Sequence, residues 1–359
     1  MFPAAARGTV RAIATKEDLM MWLTWRQFRG QAIAAAAGLA VLAVALGVTG
    51  PHLARLYAAS GLASCSVRGS CAALTAAFLS RVTSDAVYPA LYFLGAGVVY
   101  AGPAVIGMFW GAPLVARELE VGTFRLTWNQ SVTRVRWMAV KLGLVGLAAV
   151  ATAGLLSIMT TWWASPITRA GGLPIGLSQL SRFSPVVFAT SGITPMGYAA
   201  FAFVLGAAAG MLIRRTVPAI AVTLAIFAAL QVLVPLAVRP HLLAPVHVTA
   251  PVDVNLQDSQ VASSGQLTVP VNLPGAWVIS NQTITPAGRV FVLPVIPACQ
   301  SGTQRACDAW LARQHLRRRI AYQPASRFWA FQGYETAIFL ALALGLAAGC
   351  IWWVRYRLS

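Results

Sequence analysis

Nine carboxylates, four imidazoles and five thiols are the side chains with which this 359-residue chain could do acid–base, metal or nucleophilic chemistry. The acids are Glu17, Asp18, Asp85, Glu118, Glu120, Asp253, Asp258, Asp308 and Glu335. The histidines are His52, His241, His247 and His315, and none stands three or four residues from another. That spacing is what would place two metal ligands on one helix face, so no metal site is expected. No Gly-x-x-x-x-Gly-Lys-Ser/Thr phosphate loop occurs, and neither lysine, Lys16 or Lys141, follows such a glycine pattern. ATP chemistry by this chain alone is therefore excluded. A membrane-embedded enzyme is the least favoured class, because no acid–base or metal set converges at one depth.

The elements that carry these residues are apolar. The chain is 58% hydrophobic and 10% charged, against about 25% charged in an average soluble domain. So few charges cannot cover a soluble surface of this size. Six long runs with few or no charges read as membrane spans: Gln31–Thr49, Tyr88–Val115, Met138–Trp163, Pro195–Ile213, Val217–Val238 and Tyr334–Val354. At 1.5 Å per residue each can cross a hydrocarbon core of roughly 30 Å, and a helix satisfies its own backbone there. The expected fold is an all-α polytopic membrane protein of six transmembrane helices. The stretch Leu19–Arg29, with Met20, Trp22, Leu23, Trp25 and Phe28 among Arg26, Gln27 and Arg29, reads as an interfacial helix within residues 1–30, the rival reading being simply the start of span one. The first apolar run is read as an uncleaved span, because its basic leader is too long for a signal peptide.

Charge gives the orientation. The formal net charge is +18. Short basic segments lie before span one, between spans two and three (Arg117, Arg125, Arg134, Arg136), between spans four and five (Arg214, Arg215) and after span six (Arg355, Arg357). All fall on one side of a six-span chain, which places both termini in the cytoplasm. Positive flanks explain the charge better than nucleic acid, for which no motif is present. Trp22, Trp25, Trp110, Trp137, Trp352 and Trp353 at the inner ends, and Tyr88, Trp162, Trp163, Phe328 and Trp329 at the outer ends, read as headgroup-level anchors. The bias to Arg and Ala points to a bacterial source.

Residues 239–333, about 95 in number, separate spans one to five (31–238) from span six and the tail (334–359) and are too many for a plain loop. Alternating pieces at Val246–Val248, Val252–Leu256, Leu267–Leu273 and Val290–Val292 read as short strands. Asp308–Gln323 reads as a helix that Asp308 could cap. The whole is expected to be an α+β extracellular domain. Cys65 and Cys71 in the first outer loop, and Cys299 and Cys307 in this domain, fit disulfides in an oxidising compartment. Adjacent pairing is expected among the three pairings that four cysteines allow. Cys350, inside span six, reads as a small apolar residue.

The most informative segment is the inner link, residues 116–137. Arg117, Glu118 and Glu120 come first, then Gly122-Thr123 where the chain can turn and Thr123 can cap. Phe124, Leu126 and Trp128 follow, and Ser131 or Thr133 could cap the rise into span three. Apolar surface in so short a link fits docking onto a soluble protein, or an interfacial turn on headgroups. With its topology, the chain resembles the type 2 permeases of ATP-binding-cassette exporters. In that family a Glu-x-Gly-Thr element between spans two and three leads into the coupling helix, and Glu120-Val121-Gly122-Thr123 matches it.

The resemblance implies a permease subunit that moves its cargo out of the cell. Two permeases, alike or different, would pair around a path in membrane lipid, each docking a cytoplasmic ATPase that holds the ATP and Mg. No cofactor is implied for this chain. Glu118, Glu120, Gly122, Thr123, Phe124, Leu126 and Trp128 would carry the docking. Candidate path residues are Tyr92, Phe93, Tyr100, Phe109, Thr160 and Glu335, each equally readable as lipid-facing or core; for Glu335 the rival is a helix-end carboxylate among headgroups. A path so poor in charge fits an apolar or amphipathic cargo. Gly206 and Gly210, and Gly345 and Gly349, have the spacing of close helix contacts, which is common in apolar sequence. The competing class is a membrane-anchored receptor or scaffold whose outer domain binds a ligand.

Overall fold

The structure, a computed structural model, describes residues 5–357 except 66–67, 122–132, 176–177, 180–181, 253–259, 262–263, 270, 272, 274, 295–298 and 300–303. It does not describe the side chains of 5–21, 23, 68–70, 121, 174–175, 178–179, 260 and 304. The helices are α1 (Ala5–Ala59), α2 (Arg68–Ser84), α3 (Val87–Ile106), α4 (Ala112–Val121), α5 (Arg134–Arg169), α6 (Pro185–Ala189), α7 (Thr194–Ile213), α8 (Thr216–Leu233), α9 (Gln304–Ala312) and α10 (Phe328–Tyr356). A π turn, Gly107–Gly111, joins α3 to α4, and another, Val234–Val238, extends α8. Among the described residues, six helical stretches are long and apolar enough to cross a membrane: Thr24–Ala59, Val87–Glu120, Arg134–Arg169, Thr194–Ile213, Thr216–His241 and Ala325–Tyr356. Each contains one of the six expected runs.

The chain forms two compact units. The first comprises Met1–Leu173, Pro185–Arg239 and Gln332–Ser359. Its centre is α7, whose span is 83% buried while the other five lie between 11% and 33%. Small residues make this possible. A Cβ on Gly206 would stand 2.2 Å from the Gly107 carbonyl oxygen, and one on Gly210 would stand 2.4 Å from that of Ala112. The π turn and α4 therefore cross α7 backbone against backbone. Gly345 and Gly349 have open space instead, so their spacing in α10 serves no contact within the chain. Tyr198, Phe201, Phe203, Phe227 and Phe339 fill the rest of this core. A second cluster, with Leu46, Leu53, Phe78, Val82, Tyr88 and Trp163, packs α1 and α2 with α3 and α5.

Two expectations about this unit are corrected. The interfacial helix and span one are not separate elements: α1 runs unbroken from Ala5 to Ala59. Gly30 is followed by an alanine-rich stretch of high helix propensity, and no proline lies within α1 before Pro51. The first loop contains α2, tied to the preceding turn by the expected Cys65–Cys71 disulfide with Cα atoms 5.8 Å apart. Several aromatics placed at headgroup level are buried instead. Trp110 packs edge to face on Phe28 at 4.8 Å, Trp137 lies under the Lys141 ammonium, and the Trp163 indole donates to Thr49 Oγ1 at 2.9 Å. Trp22, Trp25, Trp162, Trp329 and Trp352 remain exposed.

The second unit comprises Pro174–Ser184 and Pro240–Phe331. Its described strands are β1 (Pro174–Ile175), β2 (Ser178–Gln179), β3 (Val246–Pro251), β4 (Gln260–Val261), β5 (Leu267–Thr268), β6 (Trp277–Ile284) and β7 (Arg317–Gln323), and its main sheet is antiparallel, in the order β3, β7, β6. Val248 and Asn281 both stand opposite Ile320, and a bulge shifts the β6 register between Val278 and Ser280. Leu267, Phe291, Leu311 and Leu316 form a small core with Cys307, which is bonded to Cys299. The unit is α+β, but its helix differs from the expected one. That helix is α9, Gln304–Ala312, so Asp308 lies inside it rather than capping it. His315, at φ 48°, turns the chain out of helical geometry, and residues 317–323 become the central strand. Apolar Leu316 and Ile320 are four residues apart and mimic a helix face. The longest strand, β6, escapes a search for alternation because its bulge breaks the period of two.

Candidate functional site

The link itself, 122–132, lies outside the described residues, and with it the expected docking residues Gly122, Thr123, Phe124, Leu126 and Trp128. Both of its ends are described. The far end is capped by Thr133, whose Oγ1 accepts from the Arg136 N–H at 3.4 Å, so Thr133 starts α5. The near end is α4, and its two carboxylates tie it to three other spans.

Glu118 accepts from the Lys141 ammonium on α5 and, at 3.1 Å, from the Gln27 amide on α1. Lys141 is almost wholly buried, its side chain 4% exposed against 16% for Glu118. An ammonium there is tolerable only because the carboxylate and the Trp137 ring face, 4.7 Å away, surround it. Glu120 reaches the other way. Its Oε2 accepts from Thr216 Oγ1 at 2.9 Å and from the Thr216 N–H at 3.3 Å, at the start of α8. The first N–H groups of a helix have no partner within it, so Glu120 caps α8 from outside and meets its positive end. The turn feeding α8 is short because Arg214 takes a left-handed conformation, φ 56°, directly after α7. Through these bonds α4 is joined to α1, α5 and α8.

A second polar cluster lies in the same unit. Arg239 donates to Glu335 in bidentate fashion, Nε to Oε2 at 2.9 Å and Nη2 to Oε1 at 3.0 Å. Tyr198 donates to the same carboxylate, and the guanidinium lies 3.9 Å from the Phe188 ring centre. Glu335 is 0% exposed, which overturns the headgroup alternative. Gln332, one turn earlier on α10, accepts from the N–H groups of Ile193 and Thr194 and donates to the Phe188 carbonyl. The ends of α7, the fifth span and α10 are thereby fastened together. A carboxylate in a membrane span finds a compensating cation or it is not tolerated.

Of the other candidate path residues, Tyr92 is buried and Thr160 donates back to the Leu156 carbonyl, its methyl against Gly95. Phe93 and Phe109 are exposed and Tyr100 is half-buried. Among the described residues no three His, Cys, Asp or Glu side chains gather as a metal site. From sequence, Lys141 stood out only as a basic residue, and Arg239, Gln27, Tyr198 and Gln332 were not singled out as partners of the buried carboxylates. Lys141 carried a usable signal: a lysine inside an apolar run demands a carboxylate, and the nearest acids are Glu118 and Glu120.

A comparison with curated proteins gives no match, and a comparison with solved structures gives none. A scan against protein families matches residues 36–239 to the family described as ABC-2 membrane transporter related. That range begins inside α1, ends at Arg239 and contains Glu118, Glu120, Lys141 and Tyr198. It spans more than half of the chain, and the family comprises membrane-spanning transport components that typically work with an ATPase subunit. The chain belongs to the ABC-2 membrane transporter related family.

Proposed function

We propose that this chain is the permease subunit of an ATP-binding-cassette exporter, driven through the link at 116–137 by a separate ATPase. The observation that carries this reading is the pair of ties made by Glu118 and Glu120 at the near end of the link. A docked ATPase closing on ATP would push the link, and α4 would pass the push to α1, α5 and α8 in one motion. Phe124, Leu126 and Trp128 would supply the apolar docking surface, with Gly122-Thr123 turning the chain into it. ATP and Mg would be bound by the partner, and a second permease, alike or different, would complete the path.

In this reading both termini and the link face the cytoplasm, and the α+β unit lies outside the cell, where its disulfides persist. The cargo would be apolar or amphipathic, since the spans carry few ionisable groups and the buried ones are already paired.

The test is co-purification of the ATPase in a detergent that preserves membrane complexes. Wild-type chain should retain it, and Phe124→Asp with Trp128→Asp should lose it while the chain keeps its fold. Retention by the double variant, or no ATPase with wild type, would count for the receptor or scaffold class instead.

A further inference from the structure

Between the early part of the first span and the π turn with α4 lies a cleft of about 430 Å³, within the range of small-molecule sites. Its walls differ in kind. Phe28, Trp110 and Leu114 form an apolar side, and Gln27, Gln31, Arg117 and Glu118 form a polar one. The polar side is held in place: Gln27 is bonded to Glu118, and Gln31 donates to the Phe109 carbonyl inside the π turn at 2.6 Å. It is also not neutral. The Glu118 charge is matched by Lys141, which leaves the exposed Arg117 guanidinium in excess.

The cleft lies toward one end of two membrane-length stretches, Thr24–Ala59 and Val87–Glu120, where apolar sequence gives way to charge. The molecule present at that depth with one anionic group and long apolar chains is a phospholipid. We propose that this cleft binds one anionic glycerophospholipid, its phosphate on Arg117 and the upper part of an acyl chain along Phe28, Trp110 and Leu114. A choline headgroup suits it poorly. Its cation would meet Arg117, while Glu118, the carboxylate of the lining, is engaged through Oε1 by Lys141 and Gln27. The inference is independent of ATPase docking, because it is read by lipid retention alone.

The test uses the full chain, stripped of lipid in detergent and titrated with phosphatidylglycerol or phosphatidylcholine under native mass spectrometry. Phosphatidylglycerol should bind about tenfold more tightly, and Arg117→Gln should remove about that factor, the worth of one charge-assisted contact. Leu114→Trp, which fills the cleft without changing charge, should also lose the lipid. Arg355→Gln, which removes an exposed arginine from α10, should change affinity less than twofold. A melting curve checks the fold of each variant; should Leu114→Trp fail to fold, the contrast between Arg117→Gln and Arg355→Gln decides. Equal binding of the two lipids, no lipid retained, or equal losses in the two arginine variants would overturn the proposal.

Discussion

Replacing Arg239 with methionine removes both guanidinium contacts to Glu335 and leaves that carboxylate buried with only the Tyr198 hydroxyl. Arg239 is 1% exposed and Glu335 0%, so water cannot take over the lost bonds. Breaking a buried pair from one side costs about 3–5 kcal/mol. At the low end of about 2 °C per kcal/mol, suited to a long chain, the melting temperature should fall by about 6–10 °C. The assay is thermal unfolding of the purified protein in lipid nanodiscs at one scan rate, followed by tryptophan fluorescence. The double variant Arg239→Met with Glu335→Leu leaves no charge behind and should recover most of the loss, since an apolar pair of similar volume is often neutral or better. A single variant that melts like wild type, or a double variant worse than the single, would refute the claim that desolvated charge governs this cluster.

Other consequences are simpler. Gly206→Leu should cost at least about 1–3 kcal/mol of overpacking, because its side chain would drive into the Gly107 carbonyl; Gly345→Leu, in open space, should cost little, and the two melting curves compare them. Glu120→Ala should speed amide exchange at Thr216 and lower stability by about 1 kcal/mol as α8 loses its cap, read by hydrogen-exchange mass spectrometry. Cys299→Ser with Cys307→Ser should weaken the second unit by about 2–3 kcal/mol through the freed loop, seen as faster proteolysis between Pro240 and Phe331 with the first unit unaffected.

The six spans were legible because lipid demands long apolar helices, a pattern that composition alone displays. The interior of the bundle was less so. That α7 is central is not written in its hydropathy, which resembles that of its neighbours; it follows from Gly206 and Gly210 meeting Gly107 and Ala112, a complementarity between distant segments. The polar ties were half legible. Lys141 and Glu335 were visible as costly residues in apolar surroundings, but pairing them with Glu118 and with Arg239 and Tyr198 required knowing which span ends meet. In the second unit, the run Trp310, Leu311, Leu316, Ile320 looked helical because its spacing mixes a real helix with a strand that follows a turn at His315. Local periodicity cannot separate two such elements joined within a few residues.

The account rests on the link at 116–137 and the disulfide-bonded unit facing opposite sides of the membrane. The direct measurement is labelling with a membrane-impermeant maleimide in sealed vesicles of known orientation, using Thr127→Cys in the link and, separately, Ser264→Cys in the second unit. Thr127→Cys should label only from the cytoplasmic side and Ser264→Cys only from the other. Labelling of both from one side would contradict the account.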